Sequence, residues 1–129
     1  MLEKQKRLLV VDDEAVVAEF MARVLTKQGF AVDVATNGEA ATGLLDINDY
    51  EIVIVDLRMP RMNGRQLYEY IKANHPPLAK RVVFTSGELI DVGMVSFLTS
   101  ENIPFLNKPF GSEDLKATVG KTLQAIDWK

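Results

Sequence analysis

The sequence predicts an α/β fold: a doubly wound, five-stranded parallel sheet with helices on both faces. Three observations predict it. Short apolar runs alternate with longer amphipathic stretches along the 129 residues. Three of the runs, Leu8–Val11, Ile52–Val55 and Val82–Phe84, are apolar throughout, as strands buried on both faces are. These runs lead into polar residues, at the sheet rim where open α/β folds carry their chemistry.

Five strands are expected, at Arg7–Val11, Ala31–Ala35, Ile52–Val55, Val82–Thr85 and Phe105–Asn107. The second alternates, with Phe30, Val32 and Val34 on one face, which places it near an edge. Helical patterns lie between the strands. Val17, Phe20, Met21, Val24 and Leu25 recur at three-four spacing, and Gly29 supplies the stop. Glu39 to Leu45 is the second helix, with Asn37 as its cap. Asn63 to Asn74 is the third, carrying Leu67, Tyr70 and Ile71 inward until Pro76-Pro77 breaks it. The fourth covers Ile90 to Glu101, although Gly93 weakens it. The last runs from a Ser112 cap through Leu115, Val119, Leu123 and Ile126, and Gly120 within it costs about 1 kcal/mol against alanine. Five strand–helix units with right-handed crossovers give the doubly wound sheet.

The length fits a single domain, here residues 1–129, which buries roughly two-thirds of its unfolded surface. The absence of cysteine excludes disulfides and thiolate metal sites. Net charge is −3 with both signs spread along the chain, so no direct nucleic-acid binding is expected. The apolar runs fall far short of the roughly 18–20 residues of a membrane span, so no membrane insertion is expected. Met1 to Arg7 is charged and is followed by only four apolar residues, which is not a secretory signal. The expected location is the cytoplasm.

The rim residues carry the chemistry. In a doubly wound sheet the ends of strands one and three are neighbours at the switch point. Asp12, Asp13 and Asp56 then converge, and three like charges need neutralising. A hard divalent cation such as Mg²⁺ takes one or two carboxylates and keeps several waters. The bland reading of Asp12-Asp13 alone is a solvated acidic loop; Asp56 tips the balance toward a metal. An Asp-Asp-Glu loop also repels a directly bound phosphate, which argues against a nucleotide or flavin site. Ser86 supplies a hydroxyl, Gly87 leaves room beside it, and Lys108 adds a positive charge. Phosphoryl transfer needs mainly positioning and charge neutralisation, and a carboxylate such as Asp56 can serve as nucleophile. Taken singly, Lys108 fits a structural ion pair equally well, and Ser86 an ordinary strand-end hydrogen bond.

Together these residues resemble the receiver domain of two-component response regulators. Val10-Val11-Asp12-Asp13-Glu14 is similar to its acidic first loop. Asp56-Leu57-Arg58-Met59-Pro60 with Asn63-Gly64 is similar to its phosphoacceptor motif, Ser86-Gly87 to its hydroxyl–small pair, and Lys108-Pro109-Phe110 to its lysine motif. The intervals agree: 30 residues separate Asp56 from Ser86, and 22 separate Ser86 from Lys108. Each motif is weak alone, and four in order over nearly the whole chain are a strong signal.

The resemblance implies a flavodoxin-like (βα)5 sheet of strand order 2-1-3-4-5. It implies that Asp56 accepts a phosphoryl group from phosphohistidine on a sensor histidine kinase or histidine phosphotransfer protein. It implies Mg²⁺ on Asp13, Asp56 and the Arg58 carbonyl, with Asp12 acting through a metal-bound water. Lys108 pairs with the phosphoryl group, before a cis peptide to Pro109. Ser86, rather than the adjacent Thr85, senses phosphorylation, and Phe105 swings inward. The response appears on the face of the fourth helix, fifth strand and fifth helix, a face also open to homodimer formation. Phe105 lacks the hydroxyl of the commoner tyrosine, and plain core packing is its other reading.

Arg58 and Glu88 follow Asp56 and Ser86 by two residues each, so both should rim the phosphoryl group. An ion pair between them would hinder the hydrolytic water; two solvated side chains is the alternative. His75 precedes Pro76-Pro77 and reads as loop filler, and Trp128 as a packing residue on the last helix or a contact to a neighbour. Two other functions fit the same strand-end aspartate. A haloacid-dehalogenase-type phosphatase needs a second aspartate at the position held by Arg58. A receiver-like binding module that does not signal would have no use for the intact Asp13, Asp56 and Lys108. No helix-turn-helix follows the last helix, so a stand-alone receiver or a piece of a longer protein is expected. Arg81–Gly87 and Pro104-Phe105-Leu106 resemble receivers of hybrid histidine kinases.

Overall fold

The structure is a computed structural model that describes residues 5–127, with side chains to residue 124. The expectations for Ile126 as an inward residue and for Trp128 lie outside the described side chains and residues. Five parallel strands form one sheet: β1 Arg7–Val11, β2 Ala31–Ala35, β3 Ile52–Asp56, β4 Val82–Ser86 and β5 Phe105–Asn107. Their order is β2-β1-β3-β4-β5, the flavodoxin-like arrangement. The α-helices are α1 Ala15–Lys27, α2 Gly38–Ile47, α3 Gly64–Asn74, α4 Val92–Glu101 and α5 Ser112–Asp127.

The sheet separates two cores. Leu8, Val10, Ile52, Ile54 and Val83 face Met21 and Leu25 of α1 and Leu115 and Val119 of α5. Leu9, Val11, Val53, Val55 and Phe84 face Leu45 of α2, Leu67 and Ile71 of α3 and Leu98 of α4. Every residue of β3 and β4 is buried, which is why Ile52–Val55 and Val82–Phe84 are apolar without alternation. β2 is an edge strand of intermediate burial, as its alternation predicts.

Local signals set most boundaries. Gly29 takes φ +102 at the end of α1, and Phe30 N–H reaches back to the Leu25 carbonyl. The Asn37 side chain accepts the Ala40 N–H at 2.7 Å and caps α2.

Some expectations need correction. The buried tyrosine of α3 is Tyr68, 3 % exposed, and not Tyr70. The inward face runs Gly64, Leu67, Tyr68, Ile71, so Tyr70 turns out to the surface and bonds Asp46. Asn63 is the cap of α3 and not its first turn, in a capping box with Gln66. α4 starts at Val92, because the Asp91 side chain accepts the Met94 N–H at 2.8 Å. Ser112 is the first residue of α5 and follows Gly111, whose N–H donates to Asp114. Pro76-Pro77 do end α3, and open a 3-10 helix, Pro76–Arg81. β3 and β4 each run one residue further than expected, so Asp56 and Ser86 are still paired into the sheet. Among the described residues no helix is long and apolar enough to cross a membrane.

Candidate phosphoacceptor site

The C-terminal ends of β1, β3, β4 and β5 meet at one rim. β1 delivers Asp12, fully buried, and the exposed Asp13. Asp12 Oδ1 accepts the Glu14 N–H at 2.9 Å, which fixes the loop. β3 delivers Asp56, 4 % exposed, whose Oδ1 accepts the Arg58 N–H at 3.2 Å. Asp12, Asp13 and Asp56 each present an oxygen within 4.8 Å of the others. β5 is followed by Lys108, whose N–H donates to the Ser86 carbonyl at 2.8 Å and whose peptide to Pro109 is cis.

The Lys108 ammonium touches three carboxylates. Nζ lies 2.8 Å from Asp12 Oδ2, 2.9 Å from Glu14 Oε1 and 3.2 Å from Asp56 Oδ2. The contact to Asp12 is an ion pair too poorly angled for a hydrogen bond, so Asp12 Oδ2 is buried without a donor. Burial is the largest single influence on Lys108 and pulls its pKa down. The contacts with Asp12 and Glu14 and the charges of Asp56 and Asp12 outweigh it and hold the pKa above the ordinary lysine value. Burial likewise raises the Asp56 carboxyl, the Arg58 amide pulls it back, Asp12 raises it and Lys108 lowers it.

The acidic group passes a chemical test for Mg²⁺. Its donors are all carboxylate oxygens, which a hard cation prefers, and two of the three residues, Asp12 and Asp56, are buried. Oxygens sharing one Mg²⁺ stand roughly 3–4 Å apart at its ligand distances, so a spread of 4.8 Å asks for only a small closure.

Ser86, 1 % exposed, lines a cleft of about 430 Å³ together with Leu57, Arg58, Met59 and Asn63. Its hydroxyl accepts the Glu88 N–H at 3.2 Å and makes a long 3.4 Å contact to the Glu88 carbonyl. Thr85 is fully buried and its hydroxyl has no partner. Arg58 and Glu88 pair across the rim at 3.2 Å, both largely exposed. Phe105 stands apart from the rim. It is half-buried and lines a separate surface cleft with Lys80, Lys121 and Thr122.

The sequence marks Glu14 only as part of the acidic loop. Its place directly after Asp12-Asp13 was a signal, and its reach to Lys108 depends on where β5 ends.

The response regulator receiver domain family matches residues 8–120. The chain belongs to this family. Curated relatives include the transcriptional regulatory protein CutR of Streptomyces coelicolor, 33 % identical over 113 residues, covering 88 % of this chain and 51 % of that protein. CusR of Escherichia coli, also a transcriptional regulatory protein, is 29 % identical over 118 residues, covering 92 % and 51 %. The receiver thus spans about half the length of these relatives. Among solved structures, a receiver domain protein from Methanospirillum hungatei superposes with a TM-score of 0.87 at 19 % identity, covering 96 % of this chain and 98 % of that one. A receiver of a LuxO-type protein from Vibrio parahaemolyticus gives 0.86 at 21 %, covering 97 % and 95 %. At those identities the likeness is one of fold. Receiver domains are switches of two-component signalling, and membership implies a histidine kinase partner. The named relatives are transcriptional regulatory proteins, so they lend no support to a hybrid-kinase origin.

Proposed function

We propose that residues 1–129 form a single receiver that takes a phosphoryl group onto Asp56, with Mg²⁺ held by Asp13, Asp56 and the Arg58 carbonyl and touched by Asp12 through water. The observation that carries this reading is the Lys108 ammonium seated on buried Asp12 and Asp56, beside three carboxylate oxygens within 4.8 Å. An Asp56 carboxylate oxygen forms a bond to phosphorus as the phosphorus–nitrogen bond of phosphohistidine breaks, and the electron pair leaves with the imidazole. Bound Mg²⁺ would neutralise charge on the phosphoryl oxygens. Lys108 takes up the charge on the other side. The donor is a sensor histidine kinase or a histidine phosphotransfer protein.

Ser86 then turns to the phosphoryl group. Its hydroxyl gives up a long 3.4 Å contact to the Glu88 carbonyl and the 3.2 Å bond it accepts from the Glu88 N–H. Phe105 moves inward from its half-buried position and biases the α4-β5-α5 face, the face proposed for homodimer formation. The exposed Arg58–Glu88 pair screens the phosphoryl group from the attacking water. These residues are proposed to act in the cytoplasm and to make no direct contact with nucleic acid.

The test is incubation with Mg²⁺ and acetyl phosphate followed by intact-mass measurement, with Asp56→Asn as control. One phosphoryl adduct on the parent and none on the variant is expected. No adduct on the parent, or an equal adduct on both, overturns the reading.

A further inference from the structure

The Lys108 ammonium donates hydrogen bonds to Glu14 and Asp56 and lies 2.8 Å from Asp12 as an ion pair. A phosphoryl oxygen that approaches Nζ competes with these three oxygens for the cation. The three are not equal. The Asp12 side chain is fully buried, so no water replaces the cation there, and Asp56, 5 % exposed, is itself consumed as the phosphoryl acceptor. The Glu14 side chain is 62 % exposed, and water replaces the lysine there at small cost. Glu14 is also the N-cap residue of α1, yet its side chain makes no cap hydrogen bond. It accepts from Lys108 instead, just past the end of β5 and 94 residues away in sequence.

We propose that Glu14 is a positioning residue for phosphoryl transfer: it holds one donor of Lys108 and is the partner that the incoming phosphoryl group displaces. The inference rests on the phosphoacceptor reading of Asp56. Glu14 competes with the phosphoryl oxygens for the lysine. Gly87 lies beside the Lys108 side chain, where an added Cβ would be in ordinary contact with it at 3.7 Å.

Two variants separate the contact from plain charge. Glu14→Gln keeps the shape and removes the charge. Glu14→Asp keeps the charge, but its shorter arm favours the free N–H groups of α1. Initial phosphorylation by acetyl phosphate with Mg²⁺, and affinity for beryllofluoride as a phosphoryl mimic, are measured for each. Both variants are expected to gain on both readouts, by at most about fivefold, the range of an exposed ion pair. In a Lys108→Gln background the gain disappears. Parent-like or lower values in both variants overturn the proposal. So does a gain confined to Glu14→Gln, or one that persists without Lys108. A parent protein that takes up no phosphoryl group at all defeats the reading of Asp56 instead.

Discussion

Replacing Gly64 by alanine should destabilise the domain and disable the site together. Gly64 opens α3 directly beneath the Asp56 strand end, and its N–H donates to the Leu57 carbonyl at 3.1 Å. A Cβ there would lie 2.5 Å from the Asp56 carbonyl oxygen and 2.9 Å from Leu57 Cα, where ordinary contact begins at 3.4 Å. The obstacles are backbone, so the two segments must separate by about 0.9 Å. Forcing atoms into a packed site costs roughly 1–3 kcal/mol, and backbone yields least. Alanine recovers at most about 1 kcal/mol of helix propensity. The clash therefore wins, with a net loss of about 2 kcal/mol, or about 8 °C in Tm for a domain of this length. Gly120→Ala is the control. It lies inside α5 with nothing within 4 Å of the added Cβ, so it should stabilise by about 1 kcal/mol. Urea unfolding followed by circular dichroism gives both values. Displacement of the Asp56 main chain should also slow acetyl phosphate labelling by about tenfold or more in Gly64→Ala, because reacting groups tolerate little misplacement. Stability of Gly64→Ala within about 0.5 kcal/mol of the parent, or a change of the same sign at both glycines, refutes the reasoning.

Tyr68→Phe keeps the packing on Phe84 and Phe97 and loses the 2.8 Å bond to Glu101, so it should cost about 1 kcal/mol in urea unfolding. Hydrogen bonds from Tyr70 and then His75 hold the Asp46 carboxyl below its usual 3.8. A depressed carboxylate stabilises the fold above its unfolded pKa and loses that contribution as pH falls through the folded value. Tyr70→Phe should raise the Asp46 pKa in a carbon NMR titration and narrow that acid window; an unmoved pKa counts against the contact. Arg58→Ala should lose phosphate faster than the parent, and equal decay rates would remove the screening role of the Arg58–Glu88 pair. Mg²⁺ at one hundred times its Kd should add about 2.7 kcal/mol to stability, seen as a higher Tm than in chelator. Asp13→Ala should shrink that rise.

Much of the fold was legible because central parallel strands are buried on both faces and read as unbroken apolar runs. β1, β3 and β4 were visible for that reason, and β2 showed its edge position through alternation. Caps were harder to place. Asp91 and Asn63 are polar residues close to apolar ones, and only the hydrogen bonds they accept show where α4 and α3 begin. Spacing alone does not choose between Tyr68 and Tyr70, because a helix face through Leu67 and Ile71 can take in either one. The sheet side selects the one whose ring meets Phe84.

By itself the sequence determined the fold class, the strand order through family resemblance, and the acids, hydroxyl and lysine of the rim. Those features follow from hydrophobic period and from motif spacing, which are properties of short stretches. Tertiary structure decided how the rim residues share their charges. Asp56 is in register with Thr85, so strand alternation alone could not select Ser86, which lines the cleft beside Arg58. Nor could spacing show that Glu14 and Lys108, 94 residues apart, clasp each other over the acidic group. Loop side chains at a sheet rim converge only after parallel pairing sets every strand end at one level, and no local pattern records that convergence.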